Sequence, residues 1–295
     1  MQKFTGVMPA LMTPLTEKED LNVPALKMLL DRLLGEDADG FYIGGATGEC
    51  LNLRREVREE LAFEAIRHVD HKKPCIIHVA TPVFSDAVAL AKQAEAAGAD
   101  AISAIPPIFF AYDEDDIFNY YKALAEAVSI PLLVYFNPNA GVRINARFAA
   151  RTFEIDNVTG IKWTSSDYFG LNMLKQLTHG EMNIINGPDE MLLMGLNAGA
   201  DGGIGSTYNV MYPRIKRIYE SFKAGNTADA MEAQSAANKV IDVLLSYKVI
   251  PALKVVLEKE GIPVGNASFP QKRWSEEEKE VIWQKLLNAG LPVPV

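Results

Sequence analysis

Cysteine is scarce in this chain: Cys50 and Cys75 are the only two among 295 residues. Two cysteines do not make a disulfide framework, and they are expected to be reduced core residues. Histidine is scarce too, and His68, His71, His78 and His179 fall at no metal-ligand spacing, so neither a metal nor another cofactor is expected. No apolar run approaches the roughly 18 residues needed to cross a membrane. The opening Met1-Gln2-Lys3-Phe4-Thr5-Gly6 has no basic end followed by an apolar segment and a cleavage site. The expectation is a cytoplasmic protein with no membrane partner. Excess positive charge is missing as well: 29 Lys and Arg stand against 38 Asp and Glu, a net charge of -9, which argues against a nucleic-acid partner. There is no low-complexity segment, no long linker and no visible sequence repeat.

The chain is instead an ordinary globular mixture, 48% hydrophobic and 23% charged. Strand-like and helix-like stretches alternate, the pattern of an α/β fold with a parallel sheet. Eight apolar, β-rich runs are expected at 6–13, 40–44, 74–80, 101–105, 131–135, 158–163, 182–186 and 202–206. Amphipathic stretches at 55–69, 85–97, 115–128 and 213–224 read as helices between them. Eight such units predict a (β/α)8 TIM barrel over residues 1–225, with a doubly wound sheet as the runner-up. Three further helices, at 226–247, 251–259 and 275–289, have no strands among them. Residues 226–295 are therefore expected to be a C-terminal helical extension of a single catalytic domain.

Barrel active sites lie at the C-terminal ends of the strands, and the unusual residues fall there. The sixth run carries Lys162 inside Val158-Thr159-Gly160-Ile161-Lys162-Trp163-Thr164. Burial disfavours an ammonium, and a desolvated amine can form a Schiff base with a ketone. Thr164 stands two residues on, on the same face of the strand. The second run ends in Gly44-Gly45-Ala46-Thr47-Gly48-Glu49. Its backbone N–H groups, with the next helix N-terminus behind them, suit an anion, although a plain glycine-rich turn reads equally well. The fifth run ends in Tyr135-Phe136-Asn137-Pro138, where the tyrosine is either an acid/base or a rim residue. The seventh ends in Asn186-Gly187-Pro188-Asp189-Glu190, whose carboxylates either grip the hydroxyls of a polyol or open a helix. The eighth, Gly202-Gly203-Ile204-Gly205-Ser206-Thr207-Tyr208-Asn209, is rich in small residues that let a ligand approach closely.

Together these motifs resemble the pyruvate-dependent class I aldolases of the N-acetylneuraminate lyase and dihydrodipicolinate synthase family, over nearly the whole chain. The resemblance implies a (β/α)8 barrel with a helical extension, assembled as a homotetramer, acting on a small-molecule 2-keto acid. It makes Lys162 the Schiff-base lysine and Tyr135 the acid/base. It gives Ala46 and Thr47 the substrate carboxylate. The finer pattern is similar to the lyase branch: Thr164 two residues after the lysine, Gly187, Asp189 and Glu190 for the hydroxylated tail, and Ser206 against substrate. The implied reaction is cleavage of N-acetylneuraminate to N-acetylmannosamine and pyruvate. The alternatives are an aldolase or dehydratase for another 2-keto-3-deoxy sugar acid, and a non-catalytic barrel that only binds a 2-keto acid. The synthase branch would place an arginine after the tyrosine motif; Arg143 is nearby and is read as part of the following turn.

Two positions depart from the pattern. Ala46 stands where the lyase loop has serine, and Pro106-Pro107-Ile108-Phe109-Phe110 has phenylalanine where two tyrosines are usual. In the family that serine and one tyrosine link the acid/base tyrosine to solvent. Tyr112, two residues on, and the substrate's own carboxylate are the candidate replacements.

Overall fold

The computed structural model describes residues 3–138 and 145–292. Eight parallel strands form one sheet in the order β1-β8-β7-β6-β5-β4-β3-β2. They are β1 Gly6–Pro9, β2 Phe41–Ile43, β3 Cys75–His78, β4 Ala101–Ala104, β5 Leu132–Phe136, β6 Val158–Trp163, β7 Asn183–Asn186 and β8 Gly202–Gly205. The sheet curls until β1 meets β2. There the contact shrinks to a bridge between Ala10 and Tyr42, with Leu11 N–H donating to the Tyr42 carbonyl at 2.8 Å. The barrel is the expected TIM-like one.

Helices follow the strands. They are α1 Val23–Gly35, α2 Arg55–Val69, α3 Phe84–Ala97, α4 Glu114–Ala125, α5 Ala146–Thr152, α6 Tyr168–Leu177, α7 Leu192–Ala198 and α8 Tyr208–Lys223. Local chemistry sets their ends. Asp113 and Asp116 form a reciprocal capping box at the start of α4, and Asn145 caps α5 through the Phe148 N–H at 2.9 Å. The segments now seen as α1, α5, α6 and α7 were not among the expected helices. The stretch expected at 213–224 starts earlier, at Tyr208, and kinks at Met211 (φ −147°, ψ 38°), where Pro213 cannot supply its helical hydrogen bond.

Three more helices close the chain: α9 Thr227–Leu245, α10 Val249–Lys259 and α11 Glu276–Asn288. Their apolar faces, through Val240, Leu253 and Leu286 among others, join the same hydrophobic cluster that packs the inner helices onto the sheet. A second, smaller cluster fills the barrel itself and includes Met8, Tyr42, Ile76, Leu133, Tyr135 and Ile204. These are inward-facing positions contributed by strands around the barrel, filling its interior with side chains. Tyr42 and Tyr135 belong to that packing, on the strands whose following loops carry the Ala46-Thr47 and Asn137-Pro138 motifs.

Candidate active site

Lys162 lies on β6 directly opposite Tyr135 on β5 and Ile185 on β7. It is 5% exposed. Its Nζ sits 4.3 Å from the centre of the Tyr135 ring and 4.5 Å from that of Tyr42. Among the described residues it has no carboxylate in ion-pair reach, which is unusual for a buried lysine. The amine is therefore held by aromatic faces and not tied up by an acid.

Those faces form a packed group with His78. Tyr42 and Tyr135 meet edge to face at 6.0 Å, and His78 stands edge-on to Tyr135 at the same distance. Burial, then the neighbouring Tyr135, pushes the Tyr42 phenol well above its ordinary range, so it stays protonated and donates to Ser103 Oγ at 3.1 Å. Burial, reinforced by the Arg58 and Lys162 cations, drives His78 well below its ordinary value, so its imidazole is neutral. Arg58, itself buried on α2, donates to the His78 and Ala80 carbonyls at 3.0 Å each and fixes the end of β3. Neither Tyr42 nor His78 was singled out from sequence.

A cleft of about 540 Å³ opens at Thr164, two residues beyond Lys162, and neither Lys162 nor Tyr135 is among its lining residues. Ala46, Thr47, Thr164, Gly187, Asp189, Glu190 and Ser206 all border it, so the structure brings every expected binding residue to one place. Its other wall, from α9 and α10, is apolar and includes Ile241, Leu244, Val249 and Ile250; sequence reasoning missed it because those helices are remote in the chain.

The loop after β2 is a run of tight turns: Glu49 N–H donates to Ala46 O at 3.0 Å and Cys50 N–H to Gly45 O at 3.2 Å. Among the described residues the N–H groups of Ala46 and Thr47 have no acceptor, which leaves them for an anion. Helix α2 begins at Arg55, where it is expected, and the turns after Glu49 separate its N-terminus from this loop. Thr47 Oγ1 meets Ser206 Oγ at 2.7 Å, joining the loops after β2 and β8.

Asp189 is buried, and one of its oxygens accepts both the Thr207 N–H at 2.8 Å and the Thr207 hydroxyl at 2.7 Å. Burial nevertheless dominates and raises its pKa to about 6. Glu190, next in sequence, is exposed. Thr164 Oγ1 is buried without a partner. Gly187 lies so close that an added Cβ would run into the Thr164 side chain.

The two phenylalanines that stand where tyrosines are usual are exposed. Phe109 and Phe110 are 91% and 67% exposed and stack edge to face at 5.1 Å. Tyr112 packs against Phe110 and lines a separate hollow with Tyr120 and Phe84. Arg143 lies outside the described residues.

Comparison with known proteins is consistent across sequence and structure. Residues 3–289 match the dihydrodipicolinate synthetase family. The N-acetylneuraminate lyase of Citrobacter koseri is 34% identical over 254 residues, 85% of each chain. Among solved structures, the chain is similar to Proteus mirabilis N-acetylneuraminate lyase, with TM-score 0.94 at 27% identity over 99% of this chain and 100% of that one. It is also similar to wild-type Ruminococcus gnavus sialic acid aldolase, with TM-score 0.93 at 29% identity over 98% of each.

Proposed function

The chain belongs to the dihydrodipicolinate synthetase family, and we infer that it is a carbon–carbon lyase that cleaves N-acetylneuraminate to N-acetylmannosamine and pyruvate through a Schiff base. The observation that carries the reading is the pairing of Lys162 with Tyr135: among the described residues the amine has no carboxylate in ion-pair reach, and it sits 4.3 Å from the tyrosine ring on the strand that leads to Thr164 at the cleft.

The residues divide the work as follows. The Lys162 amine adds to the keto carbon of the open-chain sugar acid, and loss of water leaves a protonated imine. That imine is an electron sink. Tyr135 takes the proton of the hydroxyl on the β-carbon as the bond between the α- and β-carbons breaks. The aldehyde sugar leaves and an enamine of pyruvate stays on Lys162. Return of a proton to the enamine carbon, then addition of water to the imine, frees pyruvate and the amine. Acid/base assistance of this kind is worth about 10²–10⁴-fold. The vacant N–H groups of Ala46 and Thr47, with the Thr47 hydroxyl, receive the substrate carboxylate. Thr164, Gly187, Asp189, Glu190 and Ser206 border the space for the hydroxylated tail. The unpartnered Thr164 hydroxyl and the exposed Glu190 carboxylate favour a polyol there over a shorter keto acid.

Residues 1–225 and 226–295 act on this reading as barrel and extension of a single catalytic domain, because one hydrophobic cluster spans both. A cytoplasmic homotetramer fits the family. Among the described residues no helix is long and apolar enough to cross a membrane. The test is release of pyruvate and N-acetylmannosamine from N-acetylneuraminate by the purified protein without added metal. Release at an ordinary enzymatic rate supports the reading. Turnover of a different 2-keto-3-deoxy sugar acid in its place, or binding of pyruvate with no turnover, would replace it.

A further inference from the structure

The loop that faces the substrate carboxylate is held from behind by a buried charge pair that the chemistry above does not use. Glu49, two residues beyond Thr47, takes a left-handed backbone conformation (φ 63°), which disfavours a residue carrying a side chain. Its Oε1 lies 2.8 Å from Lys254 Nζ on α10, and the two side chains are 0% and 3% exposed. Its Oε2 accepts from the Ser268 N–H and hydroxyl at 2.7 Å each, and from the Gln271 side chain. Lys254 also donates to the Asn266 carbonyl at 2.9 Å. Each of these partners of the Glu49 side chain comes from the C-terminal extension.

Stability alone does not call for such a pair. Taking two charges out of water is costly, and an apolar pair of similar volume often serves a fold as well or better. What the pair does here is local. It fixes a strained residue at the point where the loop 44–49 turns back on itself. Strain of that kind persists only where the surroundings over-determine it, and it concentrates at ligand sites. On the barrel side the same loop is fastened by the Thr13 hydroxyl, which donates to Gly48 O at 2.8 Å, and by the contact of Thr47 with Ser206. The span between those fastenings holds the vacant N–H groups of Ala46 and Thr47.

We propose that Glu49, paired with Lys254, is a positioning residue for the substrate carboxylate, tying the loop 44–49 to the C-terminal extension so that the Ala46 and Thr47 N–H groups are aimed before substrate arrives. This rests on the reading of that loop as the carboxylate site. It also gives the extension a part in binding keto acid that its distance in sequence conceals.

Burial pushes Lys254 below its ordinary pKa, with the Glu49 charge opposing. Removing one partner would therefore leave a stranded group, so the informative variant removes both: Glu49→Gln with Lys254→Met. The readouts are the pyruvate concentration that half-saturates borohydride trapping on Lys162, and KM and kcat for pyruvate release. Thr47→Val, which alters the loop itself, is measured beside it. The proposal expects both proteins to need about tenfold more pyruvate, with the loss falling on KM and kcat changing by less than about threefold. If Thr47→Val raises the half-saturation and the double variant does not, the pair is structural only and the proposal fails. If neither moves it, the reading of the loop as the carboxylate site fails, and the proposal with it. Should the double variant not fold, Ser268→Ala decides, since it removes one donor to Glu49: a rise of about two- to fivefold supports the proposal, and an unchanged value overturns it.

Discussion

Asp189 and Thr207 form a two-point contact in which one carboxylate oxygen accepts the backbone N–H at 2.8 Å and the hydroxyl at 2.7 Å of the same residue. The contact joins the 3-10 turn after β7, Asp189–Met191, to the end of β8. It is buried, and burial outweighs both hydrogen bonds in raising Asp189 from an ordinary 3.8 to about 6. A group whose folded pKa lies above its unfolded one holds its proton more tightly in the native state. Asp189 is therefore least costly below about pH 4. It costs the fold progressively more as pH rises to about 6, by an upper bound of about 3 kcal/mol. Asp189→Asn should lack this decline. Thermal midpoints of both proteins between about pH 4 and 7 check it, and parallel curves would dismiss Asp189 as the source.

Gly187 is required by a close approach to its neighbour. A Cβ there would collide with the Thr164 side chain and come within 2.8 Å of its Cα. Gly187→Ala should therefore cost about 1–3 kcal/mol of stability and lower kcat/KM by about tenfold or more, as Thr164 and the cleft wall shift. Trimming Thr164 to Ala in the same protein should not restore activity, because the backbone contact remains. Urea unfolding and steady-state kinetics on the two proteins measure this.

The ring and the hydroxyl of Tyr42 have separable roles. The ring underlies Lys162 at 4.5 Å, while the hydroxyl bonds Ser103. Tyr42→Phe keeps the ring and should lose about 1 kcal/mol of stability with little change in the rate of imine formation. Tyr42→Leu removes the aromatic face beneath the amine and should slow imine formation by about tenfold or more. Stopped-flow trapping with pyruvate distinguishes them; equal rates would mean the ring does not hold the amine.

Much of this site was legible in sequence because a barrel collects its strand ends at one mouth. Thr164, Gly187, Asp189, Glu190 and Ser206 are far apart in places, yet each follows a recognisable strand, and the fold then forces them to one cleft, with Lys162 on β6 two residues before Thr164. What was not legible depends on packing across the barrel. Tyr42 and His78 sit inside short apolar strands, where nothing local separates a core ring from one beneath a catalytic amine. The pairing of Glu49 with Lys254 spans about two hundred residues and follows from the docking of α10. Helix α1 had a usable signal in Leu26, Leu29, Leu30 and Leu33, whereas α5 and α7 are only seven residues each, too short for periodicity to show.

The central claim is that Lys162 carries the substrate as an imine. The direct measurement is borohydride reduction of the protein with pyruvate, followed by mass spectrometry of the peptide containing Lys162. The account predicts one reduced pyruvate on Lys162 in the wild-type protein and none in Lys162→Ala, which should also release no pyruvate from N-acetylneuraminate. An unmodified Lys162, or equal labelling of Lys162→Ala at another lysine such as Lys254, would contradict it.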